Sequence, residues 1–258
     1  MPFTLSHPAA VLPFLRTRLV PSALVIGSMV PDFEYFLRFA PRGGFGHRVP
    51  GVFLFDIPAA IIALWLFHAY AKEPLYNWLP ESIQARIQLG PSALPVRNFA
   101  QLMLLLISIL IGVATHLLWD SFTHPGFWPY QHWQFLHRTV QLPVVGTLRY
   151  LRVIQHVSTF IGAAVLALWF RHWFRRTPPM HHTPRKHPRT ALFVICTMAL
   201  LAAALRGFLI LRWVTPLDFN RSKFLFEGTI ITTITVFWLG VLMYGVLRAI
   251  ARSRTRNA

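Results

Sequence analysis

Residues 101–119 read Gln101-Leu-Met-Leu-Leu-Leu-Ile-Ser-Ile-Leu-Ile-Gly-Val-Ala-Thr-His-Leu-Leu-Trp119, a run without a single Lys, Arg, Asp or Glu. As a helix rising 1.5 Å per residue it reaches about 28 Å, close to the roughly 30 Å hydrocarbon thickness of a bilayer. Runs of comparable length follow the same pattern at Val52–Ala71, Ile154–Phe174, Ala191–Leu211 and Thr229–Ile250. A helix satisfies its own backbone hydrogen bonds, which a segment in hydrocarbon must do. The expected fold is therefore all-α, a polytopic integral membrane helical bundle with about five spanning helices. Leu19–Val30 is apolar but too short to cross, with Arg16 and Arg18 just before it. It reads as a re-entrant or buried helix.

Composition agrees. The 258 residues are 55% hydrophobic and only 13% charged, where soluble domains run nearer one quarter charged. No Gly/Ser-rich or Pro-rich linker divides the chain, so residues 1–258 are expected to form a single membrane domain. Residues 1–165 carry the motifs; 166–258 hold a basic loop, two spans and a basic tail. The start, MPFTLSHPAAVLPF, has no positive n-region, which argues against a cleavable signal peptide. No fixed-period repeat is visible, which counts against an inverted-repeat transporter. The formal net charge of +17 raises nucleic acid as a partner. The basic residues flank apolar runs, however, where they orient helices and meet anionic head groups. Membrane lipids are the expected partners, and nucleic acid is not. The single cysteine, Cys196, excludes a disulfide framework and a Cys-type zinc site.

Six basic residues between Arg171 and Arg189, and four from Arg248 onward, mark those segments as cytoplasmic by the positive-inside bias. Alternation then places the N-terminus and the 120–153 loop on the outer face of a bacterial inner membrane, with the C-terminus cytoplasmic. The bias comes from the C-terminal half alone. Within the 120–153 loop, Phe127, Trp128, Tyr130, Trp133 and Phe135 read as an interfacial aromatic segment.

Only eight carboxylates occur, and Asp32, Glu34, Asp56 and Asp120 sit inside or beside apolar stretches. Ionisable groups there are costly and need a reason. The sharpest motif is Thr115-His116-Leu117-Leu118-Trp119-Asp120-Ser121-Phe122-Thr123-His124. His116, Asp120 and His124 are spaced i, i+4, i+8, so a continuing helix projects them from one face. Imidazole and carboxylate together suit a divalent cation such as zinc; a polar pair joining two helices is the alternative. Pro125 is expected to end the helix and let His124 swing away. Asp32, in Val30-Pro31-Asp32-Phe33-Glu34-Tyr35, follows the short apolar helix at a bend and is either a ligand or a helix N-terminal carboxylate. Glu34 should point elsewhere. His7 and His47 lie beside turn-formers, and His156 opens the third span at the membrane face of His116 and Asp120. His68 reads as packed within its span, His132 and His137 as neighbours of the aromatic loop. His172 sits at a helix C-terminus, and His181, His182 and His187 belong to a solvated basic loop.

The segments Met1–Ala10, Ser22–Tyr35, Thr115–His124 and Gln155–Thr159 together resemble a bacterial membrane family, domain of unknown function 4184. More distantly, the order His, Pro-Asp, His, His-x-x-x-Asp is similar to membrane-bound predicted metal-dependent hydrolases and to the zinc phospholipase C and P1 nuclease group. That resemblance implies metal ligands at His7, Asp32, His47, His116 and Asp120, with His156 a further candidate. A second His-x-x-x-Asp and an N-terminal tryptophan are missing, so one or two ions are expected, not three. The expectation is a membrane-embedded, metal-dependent hydrolase of a phosphoester or lipid-like substrate, with zinc as the expected ion, Asp32 or Asp120 as general base, and Arg42 and Arg48 either holding phosphate or anchoring to lipid. The alternative is a non-catalytic transporter or scaffold using the same side chains for helix–helix contacts.

Overall fold

The computed structural model describes residues 3–94, 96–142, 146–180, 189–213 and 219–256; His181, His182 and His187 lie outside them. Of the described residues, 78% are helical. Among the described residues, five helices are long and apolar enough to cross a membrane: Val49–Trp78, Phe99–Ser121, Tyr150–Arg176, Thr190–Arg212 and Leu225–Thr255. Each contains one of the five apolar runs and extends past it, as helices do when they pass through the head-group layer.

The chain divides into two compact units. One comprises Met1–Asp32, Phe45–Ile61 and Val96–Arg176; the other comprises Phe33–Gly44, Ile62–Pro95 and Thr177–Ala258.

The first unit begins with a 3-10 helix, Thr4–Arg16, that contains Pro8 and Pro13. Pro21 opens the helix α1 (Pro21–Gly27) at a position where its missing N–H costs nothing. A single 3-10 turn, Val30–Asp32, follows it. This is the short apolar helix of the sequence, and it is buried: Ala23, Leu24 and Val30 are fully enclosed. It crosses α2 (Phe99–Ser121), whose N-terminus is capped by the Asn98 side chain accepting from Gln101 N–H at 2.9 Å. At the crossing two glycines let the backbones touch. A Cβ on Gly112 would stand 2.5 Å from Leu24 O, and one on Gly27 would collide with Ile109 O. Leu24, Ile109 and Val113 fill the adjoining core, and Ser108 Oγ accepts from Val20 N–H at 2.9 Å.

Between α2 and α3 (Tyr150–Arg176) the chain forms a short helix, Trp128–His132, and an antiparallel hairpin, β1 (Thr139–Leu142) and β2 (Gly146–Arg149). Thr139 pairs with Arg149 and Leu142 with Gly146. This hairpin is a local departure from an all-helical chain; Thr139 and Val140 favour extended backbone. Trp128 stacks on His132 at 4.4 Å and Tyr130 on His137 at 4.2 Å, leaving Trp128, Trp133 and Phe135 exposed.

In the second unit α4 (Thr190–Trp213) packs along α5 (Phe219–Arg256). Arg206 donates to Thr232 Oγ1 at 2.8 Å, and Arg252 donates to Glu73 Oε2 at 2.6 Å with Arg248 alongside.

Gly112→Ala should lower the thermal unfolding midpoint of the detergent-purified protein, by the equivalent of about 1–3 kcal/mol of overpacking. Gly90→Ala, whose added Cβ meets nothing within 4 Å, should leave the midpoint unchanged.

Candidate metal centre

Four segments of the first unit deliver polar side chains to one point. His116 and Asp120 lie one turn apart near the C-terminal end of α2, on one face. Asp32 ends the 3-10 turn after α1. His47 stands two residues before the first span, next to Gly46; a Cβ on Gly46 would lie 2.7 Å from Asp56 Oδ1 and 3.0 Å from Pro31 O, so only glycine fits. His7 comes from the N-terminal 3-10 helix. His7, Asp32, His116 and Asp120 are all fully buried.

The distances are short and regular. His47 Nε2 is 3.3 Å from Asp120 Oδ2 and 3.7 Å from Asp32 Oδ1. His116 Nε2 is 3.5 Å from Asp120 Oδ2 and 3.7 Å from Asp32 Oδ1. The two Nε2 atoms are 3.3 Å apart. One ligand atom from each of Asp32, His47, His116 and Asp120 lies within 4.8 Å of all the others. His7 adds its Nε2 at 3.5 Å from the other oxygen of Asp120, Oδ1. Its ring stacks on His116 at 3.9 Å and meets Trp119 edge-on.

Surrounding groups fix the orientation of these side chains. His116 Nδ1 lies 2.8 Å from Ser28 O. A carbonyl only accepts, so Nδ1 carries a proton, and the ring is held with Nε2 facing the carboxylates. Thr4 Oγ1 donates to Asp32 Oδ2 at 2.7 Å, leaving Oδ1 to face the histidines. Among the described residues, no hydrogen bond satisfies Asp32 Oδ1, either oxygen of Asp120 or either ring nitrogen of His7, although all are buried. Burial, then the neighbouring His116 imidazole, pushes His7 down to about 3, and burial pushes His124 down to about 4. Burial, opposed by His116, pushes the Asp32 carboxyl up.

Buried polar atoms left without partners cost free energy, and buried carboxylates more so. A divalent cation among the four removes that cost. Bonds of 2.0–2.2 Å from a central zinc give a tetrahedron with edges of about 3.3–3.6 Å; the separations that involve a histidine run from 3.3 to 3.7 Å, and all four atoms lie within 4.8 Å of one another. His47, His116, Asp32 and Asp120 are thus able to hold one ion with little movement.

Of the residues singled out in the sequence, His7, Asp32, His47, His116 and Asp120 come together. His156 does not join the four-residue group: it is exposed on α3, while Gln155 beside it is buried. The Gln155–Thr159 motif instead helps hold the N-terminus, with Thr159 Oγ1 accepting from Phe3 N–H at 3.1 Å and Gly162 packing on Ser6. His124 follows the end of α2 yet stays in contact, its Nδ1 3.4 Å from Asp120 Oδ2. Glu34 points elsewhere and accepts from Gly44 N–H at 2.6 Å. Arg42 and Arg48 are exposed. Sequence reasoning missed Thr4 and the Ser28 carbonyl. For Thr4 the only signal was its place three residues before His7.

Neither a curated protein nor a solved structure matches the chain. The model of one family, "Domain of unknown function (DUF4184)", matches residues 1–247, a stretch that includes every residue of the metal-type cluster, the first four spans and most of the fifth. The chain belongs to the DUF4184 family.

Proposed function

We propose that the protein is a membrane-embedded, metal-dependent hydrolase of a phosphoester or lipid-like substrate, with zinc as its ion. The observation that carries this reading is the close convergence of one ligand atom from each of His47, His116, Asp32 and Asp120, all within 4.8 Å of one another. Mixed imidazole and carboxylate sets are those of catalytic zinc sites, whereas structural sites rely on cysteine. The shared order of His, Pro-Asp, His and His-x-x-x-Asp with the zinc phospholipase C and P1 nuclease group supports the same chemistry.

A divalent ion in this set supplies Lewis acidity, polarising a phosphoryl oxygen and bringing the pKa of water toward about 7. The chain's own residues do the rest. His47 and His116 present their Nε2 atoms, and the Ser28 carbonyl holds the His116 ring in the orientation this needs. Asp120 is the general base we favour: Oδ2 belongs to the ligand set, while Oδ1, 3.5 Å from His7 Nε2, is left to accept a proton. Asp32 is less suited, because Thr4 already donates to its second oxygen. Asp120 is the penultimate residue of α2, and His47 lies just before the first span. Residues at such helix ends meet both water and head groups, which suits a lipid phosphoester. Arg48, exposed beside His47, is the candidate to hold its phosphate. We assign the protein to the bacterial inner membrane with its C-terminus cytoplasmic, on the basic residues around Arg171–Arg189 and the tail.

One observation favours a non-catalytic scaffold or transporter: four protein donors already complete a tetrahedron, as in structural sites. Experiment separates the two. Elemental analysis of the purified protein should find about one zinc, manganese or iron per chain. Asp120→Asn and His116→Ala should each weaken metal binding beyond the about 10–100-fold typical of outer-shell changes, and His156→Ala should leave it intact. Bis-p-nitrophenyl phosphate or a phosphatidyl lipid should be hydrolysed, chelator should stop the reaction, and added zinc should restore it. Absence of stoichiometric metal in the wild type overturns the proposal. Metal without hydrolysis of either substrate supports the scaffold.

A further inference from the structure

Building on that metal reading, we infer that Thr4 is a positioning residue of the centre, holding the Asp32 carboxylate so that it offers a single oxygen, Oδ1, to the ion. A 3-10 helix has three residues per turn, so side chains at i and i+3 eclipse on one face. Thr4 and His7 stand in that relation on the N-terminal 3-10 helix. Both are buried, and each reaches a different carboxylate of the cluster. Thr4 Oγ1 donates to Asp32 Oδ2 at 2.7 Å, and His7 Nε2 faces Asp120 Oδ1 at 3.5 Å.

The Thr4 hydrogen bond has a chemical consequence. An ionised carboxylate has two equivalent oxygens and can bind an ion through one or both. With Oδ2 held by a hydroxyl on one side, only Oδ1 is directed at His47 and His116, 3.7 Å from each Nε2. Without the hydroxyl the carboxylate is free to turn about its last torsion and bring both oxygens to the ion. The 3-10 helix is itself held in place. Phe3 N–H donates to Thr159 Oγ1 at 3.1 Å, Ser6 Oγ donates to Phe3 O at 2.7 Å, and Ser6 packs on Gly162 of α3. The spanning helix α3 thus fixes the N-terminal helix, which fixes Asp32.

The test uses full-length protein in detergent, with cobalt(II) as the probe. Thr4→Val keeps the shape and removes the donor; Thr4→Ser keeps the donor and removes the methyl. Cobalt affinity should fall about 10–100-fold in Thr4→Val and stay within about 3-fold of wild type in Thr4→Ser, the scale expected for an outer-shell partner. The visible cobalt spectrum should change in Thr4→Val alone, because the number of oxygens on the ion changes, a signature that lost packing would not produce. Unchanged affinity and spectrum in Thr4→Val, with cobalt bound by the wild type, overturns the role of Thr4 while the metal reading stands. Loss of affinity in Thr4→Ser equal to that in Thr4→Val also overturns it, since packing and not the hydrogen bond would then be at work. If Thr4→Val fails to fold, Thr4→Ser decides: wild-type affinity and spectrum support the role, and weakened binding overturns it. A wild type that takes up no cobalt overturns the metal reading and the role of Thr4 together.

Discussion

Two carboxylates, Asp32 and Asp120, are fully buried beside the ends of apolar helices, and among the described residues neither has a Lys or Arg side chain in an ion pair with it. Few arrangements in a protein are more costly, because ionised groups out of water need compensating charge or hydrogen bonds. Much of the first unit serves to hold this cost in one geometry. The Gly27–Gly112 crossing brings α1 against α2, which puts Ser28 O on His116. Gly46 lets His47 enter past Pro31 and Asp56. The N-terminal helix closes the remaining side with Thr4 and His7. A cation at the centre would account for all of these at once; among the described residues, no hydrogen bond satisfies the Asp120 oxygens.

What could be read in the sequence follows from which physical signals are local. The spans were legible because length and lack of charge decide them. Their ends were less so, since Val49–Trp78 runs well beyond the apolar run at Val52–Ala71. His116 and Asp120 were legible from i, i+4 spacing, and Asp32 from a Pro-Asp step after a helix too short to span. His156 shows the limit. Alternation places it at the membrane face of His116, but face is only one coordinate; the azimuth around α3 turns Gln155 inward and leaves His156 exposed. His124 shows the reverse, remaining at Asp120 although its helix ends at Ser121.

Other features depend on backbone detail that residue types do not announce. The first span contains a wide π-helical turn, Val52–Asp56, that places Asp56 in the interior against Gly46; such turns recur at functional sites. The 3-10 geometry of Thr4–Arg16 is what aligns Thr4 with His7, where an α-helix would have turned them apart by about 60° over three residues. The second unit has polar contacts of its own, as in Arg206 with Thr232 and Glu73 with Arg252 and Arg248, whereas the His/Asp cluster lies in the first unit.

Zinc-edge X-ray absorption on the zinc-loaded, detergent-purified protein tests the central claim most directly. The account predicts two imidazole nitrogens and carboxylate oxygens at about 2.0–2.2 Å, no sulfur, and loss of the imidazole signature from one ligand in His116→Ala. A spectrum without imidazole scattering, or one that His116→Ala leaves unchanged, would contradict it.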